Sequence, residues 1–313
     1  MMFAIENIIR NASSEEKEKL TILLVNETMD EYCSMLANSL PHDFYLVTGI
    51  ANFPQWGTES KPSNIHIVDF MHEIPSRHVD AIIVFNRGAM YERAENASRN
   101  LHVPLIVVDF ASSITKVPCP LHATLNLPNP EVLYGRSGDA CVANSKDVSR
   151  SWISQIPCLS VEINYPGRTI QKDQDANFIL LDNTLPKQSV EGLGVNVNNG
   201  LYTNVIEKAS MYLYLWHNKN TMLYDCMRNR IPVIVPKGSQ DLGDLASQQL
   251  CLVVESPTMF NDPANYEQVL KFDGLPQLVE NAYNYVSKFT EEEFGNKWNN
   301  LLGHVCNKGF VRN

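Results

Sequence analysis

No uninterrupted apolar run in this chain approaches the roughly 20 residues that a membrane span requires, and the longest, such as Ala81 to Phe85, are strand-sized. A membrane-spanning helix is therefore not expected, and neither is a secretory leader. Met1 to Leu20 lacks a long apolar stretch, carries Glu6 early and has an acidic and basic cluster at Ser13 to Lys19. The expected location is the cytoplasm, or the host cytoplasm if a phage encodes the chain. The seven cysteines (Cys33, Cys119, Cys141, Cys158, Cys226, Cys251 and Cys306) include no CxxC pair, so buried reduced thiols are expected rather than a metal or disulfide framework. Positive charge is scarce as well. The 25 Lys and Arg against 35 Asp and Glu give a formal net charge of −10, which opposes long-range attraction to nucleic acid or an anionic membrane and leaves only a local basic groove open. GxGxxG, Walker, GxSxG and HExxH sequences are all missing, and with them the usual supports for dinucleotide oxidoreductases, P-loop ATPases, α/β-hydrolases and zincins. There is no low-complexity tract and no repeat of roughly 20 to 50 residues.

What the chain does have is 44% hydrophobic and 19% charged residues over 313 positions, enough for a sizeable core and, by length, for two domains. Short β-branched runs recur at Thr21 to Val25, Phe44 to Val47, Ile65 to Val68, Ala81 to Phe85, Leu105 to Val108, Ala140 to Ala143 and Val161 to Ile163. Continuous apolar runs imply strands covered on both faces, as in a parallel sheet. Helix-compatible pieces such as Asp30 to Leu40 and Tyr91 to Asn100 alternate with them, which reads as a doubly wound domain. From Asn164 to Ala176 the pattern lapses into polar, turn-rich sequence, the best boundary in the chain. A second series follows, with strands at Phe178 to Leu181, Met211 to Trp216, Pro232 to Val235 and Leu250 to Val254. Its helices are expected at about Leu201 to Ala209, Thr221 to Asn229 and Asp241 to Gln249. Thr290 followed by Glu293 opens a last helix running to about Val305. The expected architecture is α/β, with two Rossmann-like doubly wound domains facing a central cleft. The N-terminal domain spans residues 1–165, the second 166–287, and a helix and tail over 288–313 return towards the first.

The segment from Tyr212 to Val235 carries the most chemistry. A strand ends near Trp216, a polar loop His217-Asn218-Lys219-Asn220 follows, and a helix starts near Thr221. The N–H groups and positive end of such a helix suit an anion, and Lys219 adds a mobile cation, so a diphosphate would fit there. Asp225 precedes Pro232-Val233-Ile234 in the same stretch.

This arrangement resembles the donor-site signature of retaining GT-B glycosyltransferases of the glycogen-synthase and sucrose-synthase type, in which a first acidic residue, a phosphate loop, a second acidic residue and a Pro-Val-Ile segment follow in turn. The resemblance implies that Asp225 holds the ribose hydroxyls of a nucleotide, with Asn218 to Thr221 and Asn183 lining the donor. His217 stands where the first acidic residue would be, eight positions before Asp225. In Phe178 to Lys187, Lys187 matches the family's lysine on the leaving diphosphate, while Asp182 replaces its arginine. The paired strands Asp80 to Phe85 and Pro104 to Asp109, and the segment Gly138 to Ser145, resemble the family's N-terminal domain. By this resemblance the chain transfers a sugar, with retention, from a nucleoside diphosphate sugar such as a UDP-sugar to a hydroxyl, without a tightly bound cofactor or metal.

Catalytic candidates are Lys187, His217 and Asp109, and acceptor-side candidates are Asn86, Arg87 and Lys116. Each has a plainer reading: Asp225 as a helix residue placed by the macrodipole, His217 as a structural residue, Lys187 as a surface lysine, Asn86-Arg87 as a capped loop and Asp109 as a helix N-cap. The acceptor stays open. In size the chain also resembles the DNA-modifying sugar transferases of tailed phages, which implies duplex DNA carrying hydroxymethylated cytosine, and the alternative is a glycan or small molecule. A DNA acceptor would need a basic rim, for which Arg87, Arg93, Lys116, Arg136, Lys146 and Arg150 are the candidates. Two rival functions use the same fold: a nucleotide or nucleotide-sugar binder without catalysis, and a nucleotide-sugar 2-epimerase.

Overall fold

The computed structural model describes residues 19–26, 31–48, 62–68, 79–85, 89–109, 140–143, 159–171, 178–181, 197–198, 206–214, 221–237, 242–256, 259–260 and 262–307. The chain divides into two compact units, one built from Met1–Pro54, Lys61–Asn164 and Glu291–Asn313, the other chiefly from Tyr165–Thr290.

Among the described residues, seven strands make the sheet of the first unit: β1 (Thr21–Asn26), β2 (Asp43–Thr48), β3 (Ile65–Val68), β4 (Ala81–Phe85), β5 (Leu105–Asp109), β6 (Ala140–Ala143) and β7 (Leu159–Glu162). Their order is β3-β2-β1-β4-β5-β6-β7 and every pairing is parallel. All five residues of β4, at the centre, are buried, as an apolar run covered on both faces requires. Helix α1 (Glu31–Ser39) follows β1, and α2 (Ala89–Leu101) packs on β1, β4 and β5. Tyr91, Ala94 and Ala97 of α2 join Leu23, Val25, Ile82, Val84 and Val107 in one apolar cluster. β7 covers residues 159–162 rather than the expected 161–163. It is an edge strand, so apolar Leu159 and Val161 alternate with Ser160 and Glu162, and the apolar run that marks central strands is absent.

The second unit holds β8 (Phe178–Leu181), β9 (Val197–Asn198), β10 (Ala209–Leu213), β11 (Val233–Pro236) and β12 (Leu252–Val254), in the order β12-β11-β10-β8-β9, again parallel throughout. Its helices are α3 (Thr221–Arg228), α4 (Leu242–Ser247), α5 (Pro263–Leu270) and α6 (Leu275–Val286). The expected helix through Ala209 gives way there to strand: Ala209 opens β10 and pairs with Phe178, and the strand ends at Leu213, before Trp216. α5 and α6 were not anticipated, although both announce themselves with proline in the first turn. Asp262 caps α5, its Oδ1 accepting from Ala264 N at 2.9 Å, the arrangement that satisfies an orphan N–H at a helix start.

The last helix, α7 (Glu291–Asn307), belongs to the first unit, where it packs on α1. Cys33, Cys226 and Cys251 are buried thiols. Burial pushes Cys251 up to about 11, and burial together with the charge of Asp80 pushes Cys306 up to about 12, so neither ionises near neutral pH. Among the described residues no helix is long and apolar enough to cross a membrane.

Candidate functional site

In a parallel sheet all carboxyl ends lie on one edge, and ligands bind there at the point where strand order reverses. In the second unit that point falls between β8 and β10, whose last residues, Leu181 and Leu213, are register partners. The chain leaves these two strand ends towards Asn183 and Lys187 in one case and His217, Asn218, Lys219 and Asn220 in the other. All six lie outside the described residues. Thr221 begins α3 and is buried. The topology thus starts both candidate donor segments from neighbouring strand ends.

Asp225 occupies a different environment from that of an open ribose ligand. It is fully buried within α3, and its carboxylate is engaged by Arg168: the backbone N of Arg168 donates to Oδ1 at 2.6 Å, and Nε and Nη2 donate to Oδ2 at 3.2 and 3.1 Å. Burial raises the carboxyl above the ordinary aspartate range, while the charge and hydrogen bonds of Arg168 and a hydrogen bond from Tyr165 pull it back. Arg168 is itself 8% exposed, so the pair is a buried ion pair. It fastens the segment after β7 to α3. The fastening is close: Gly167 has φ +68, and a Cβ there would sit 2.6 Å from the backbone O of Tyr224. Gly167→Ala is therefore expected to cost about 1–3 kcal/mol through backbone strain, with the contact adding to it. Urea unfolding of the variant measures this, and a change under about 0.5 kcal/mol, the size of an ordinary surface substitution, would contradict it.

In the first unit the order reverses between β1 and β4, with Val25 in register with Val84. Phe85, the end of β4, pairs with Val108 of β5, so the chain positions that follow, Asn86 and Asp109, start from adjacent strand ends. Asp109 closes β5, its backbone in register with Ala143. Its side chain, and Asn86, Arg87 and Lys116, lie outside the described residues. Of the basic candidates for a DNA-facing rim only Arg93 is described, exposed on α2; Arg136, Lys146 and Arg150 also fall outside.

Sequence reasoning missed Arg168. Tyr-Pro-Gly-Arg reads as a polar turn at a boundary, and the partner carboxylate lies 57 positions away.

No family model matches the chain, and no curated protein matches it by sequence. Solved structures do. Sucrose-phosphate synthase from Thermosynechococcus elongatus superposes with a TM-score of 0.60 at 12% identity, over 91% of this chain and 99% of that one. HepE of Anabaena, in complex with UDP-glucose, gives 0.60 at 13% identity, over 91% and 100%. A Listeria monocytogenes protein assigned as a UDP-N-acetylglucosamine 2-epimerase gives 0.55 at 10% identity, over 92% and 97%. At such identities the likeness speaks for architecture. The chain has the GT-B fold, built of two Rossmann-like, doubly wound α/β domains.

Proposed function

We propose that the chain is a glycosyltransferase that moves a sugar from a nucleoside diphosphate sugar, a UDP-sugar, to a hydroxyl acceptor. The observation that carries this reading is the reversal of strand order in the second sheet. It starts the segment bearing Asn183 and Lys187 and the segment bearing His217 to Asn220 from paired residues, Leu181 and Leu213, with α3 opening immediately afterwards. Backbone N–H groups and the positive end of α3, supplemented by Lys187 and Lys219, would stabilise the charge that grows on the departing diphosphate. HepE, of the same architecture, is in complex with UDP-glucose.

In this reading the ribose is held by groups other than a solvent-facing Asp225, since that carboxylate is occupied by Arg168. Asp109 and Asn86-Arg87, leaving adjacent strand ends in the first unit, are the proposed acceptor-side groups, with Lys116 a further candidate. Retention of configuration follows the resemblance of the Asp225 to Ile234 segment to the retaining GT-B signature. A water-excluding closure around the donor would suppress its hydrolysis.

Incubation with a panel of labelled nucleotide sugars tests the proposal, with three acceptor arms: duplex DNA containing hydroxymethylcytosine, glycans, and no acceptor. Sugar transferred to either acceptor supports a transferase and identifies the acceptor class. Epimerised nucleotide sugar in the arm without acceptor identifies an epimerase instead, and binding with no product identifies a non-catalytic binder. Lys187→Ala is expected to lower turnover about 10²-fold while changing donor affinity much less, because the diphosphate charge it meets develops in the transition state. An effect confined to KM would make Lys187 a binding residue only.

A further inference from the structure

The helix that opens beside the proposed donor site is buried on every side. All seven residues from Thr221 to Met227 are buried, so α3 has no polar face to hold towards water, and water cannot select its rotation. Its apolar side chains select weakly as well, because Met222 and Met227 are flexible and such residues repack around more than one arrangement. A buried polar group is different, since it is satisfied in few orientations and costly in the rest. Asp225 is the one charged residue in this stretch, and it is fully buried.

Its partner comes from residues 165–170, which belong to the same unit. Arg168 meets the carboxylate with three donors, its backbone N on Oδ1 and its Nε and Nη2 on Oδ2. The planar fork accepts one direction of approach, and the backbone bond ties the carboxylate to one position along the segment. Turning α3 by one residue, about 100°, would take Asp225 away from all three donors and leave the guanidinium buried without that acceptor. Arg228 and Asn229 hold the foot of the helix to the same segment, through Pro166 O and through Arg168 O and Ile170 N. Asp225 lies nearer the head. Stability does not account for the pair, since well-packed apolar residues in place of a buried ion pair are often neutral or stabilising. What apolar residues would not supply is a single rotation.

We propose that Arg168 is a positioning residue of the donor site. Through Asp225 it fixes the rotation of α3, and with it the direction in which the N–H groups of the first turn face the diphosphate. This deepens the glycosyltransferase reading and rests on it for the ligand, but the seating of α3 can be measured without one. The experiment compares wild type with the double variant, Asp225→Leu with Arg168→Met, by urea unfolding and by calorimetric titration with UDP. It also follows the rate at which iodoacetamide labels Cys226 and Cys251 in the ligand-free protein, read by mass spectrometry. Cys226 is a fully buried thiol of α3, and Cys251, buried in the same unit outside α3, reports general opening. The double variant is expected to unfold near the wild-type midpoint, to bind UDP about tenfold more weakly, and to label about tenfold faster at Cys226 with Cys251 unchanged. Arg168→Lys, which keeps the backbone bond and a cation but not the fork, should shift both in the same direction by less, and it carries the test if the double variant does not fold. Labelling of Cys226 at the wild-type rate overturns the proposal: lost UDP affinity would then make Asp225 a nucleotide ligand, and retained affinity would make the pair structural only. Faster labelling of both thiols overturns it as general loosening, and faster labelling of Cys226 with UDP affinity unchanged does so because the donor would not depend on how α3 is seated. If wild type binds no UDP, the donor-site reading falls, and Cys226 still decides whether the pair fixes the helix.

Discussion

Asp225→Ala is expected to destabilise the second unit by about 3–5 kcal/mol, the cost of removing one partner from a buried ion pair. The reason lies in what the substitution strands. The Arg168 guanidinium, 8% exposed, would lose the acceptor for Nε and Nη2, and its backbone N would lose Oδ1. None of these donors would gain water without opening the contact between the Gly167 segment and Tyr224. The size of this loss does not mean that the pair stabilises the fold more than apolar residues would. Burial holds the Asp225 carboxyl above its ordinary range despite Arg168, so its folded value exceeds its unfolded one. The native state then binds more protons than the unfolded state between those values, and this group favours folding as pH falls rather than as it rises. Acid sensitivity must come from other carboxylates. Replacing both partners, Asp225→Leu with Arg168→Met, should therefore recover most of the lost stability, and the cycle of single and double variants measures the coupling. Urea unfolding followed by circular dichroism gives the numbers. A single-variant cost below about 1 kcal/mol, typical of an exposed pair, would mean that the carboxylate is accessible and would return Asp225 to the list of nucleotide ligands.

That result bears on how far the sequence can be read. The central strands were legible because burial on both faces writes itself as an unbroken apolar run: β1, β4, β5 and β8 fall where those runs lie. β7 and the two-residue β9 were misplaced or missed because neither carries such a run; an edge position alone does not hide a strand, since β3 and β12 are also edge strands and lie within the expected ranges. At Ala209 the strand begins inside a stretch with acceptable helix formers, and pairing with Phe178 overrides local preference. α5 and α6 were overlooked although proline and an aspartate cap signal the first of them. The candidate site was legible at the level of which segments leave which strand ends. The environment of Asp225 was not, since the spacing that places an acid before Pro-Val-Ile is the same whether the carboxylate faces a nucleotide or an arginine 57 positions upstream.

The return of the chain to its first unit supplies the other large expected effect. α7 carries Trp298, fully buried, whose Nε1 donates to the hydroxyl of Tyr32 on α1 at 2.9 Å. Tyr32 in turn meets Trp298, Phe294 and Phe85 edge-on, with ring centroids 6.3, 5.2 and 5.6 Å apart. One cluster therefore joins α7, α1 and the end of β4, across 266 positions of sequence between Tyr32 and Trp298. Trp298→Ala is expected to cost about 3–5 kcal/mol, because the indole's transfer energy is lost and the rigid strands and helices around it cannot close the cavity. Trp298→Phe keeps an aromatic ring against Tyr32 but gives up the N–H donor, so it should cost clearly less. The two variants separate packing from hydrogen bonding: equal losses would assign the effect to the Tyr32 bond, and a much smaller loss for phenylalanine assigns it to volume. Proteolysis adds a local reading, because weakening this cluster should expose the α7 backbone to cleavage before the strands of the first sheet are reached. If Trp298→Ala unfolds in urea at the wild-type midpoint, α7 is not part of the first unit's cooperative core, and the aromatic cluster holds no more than a peripheral helix.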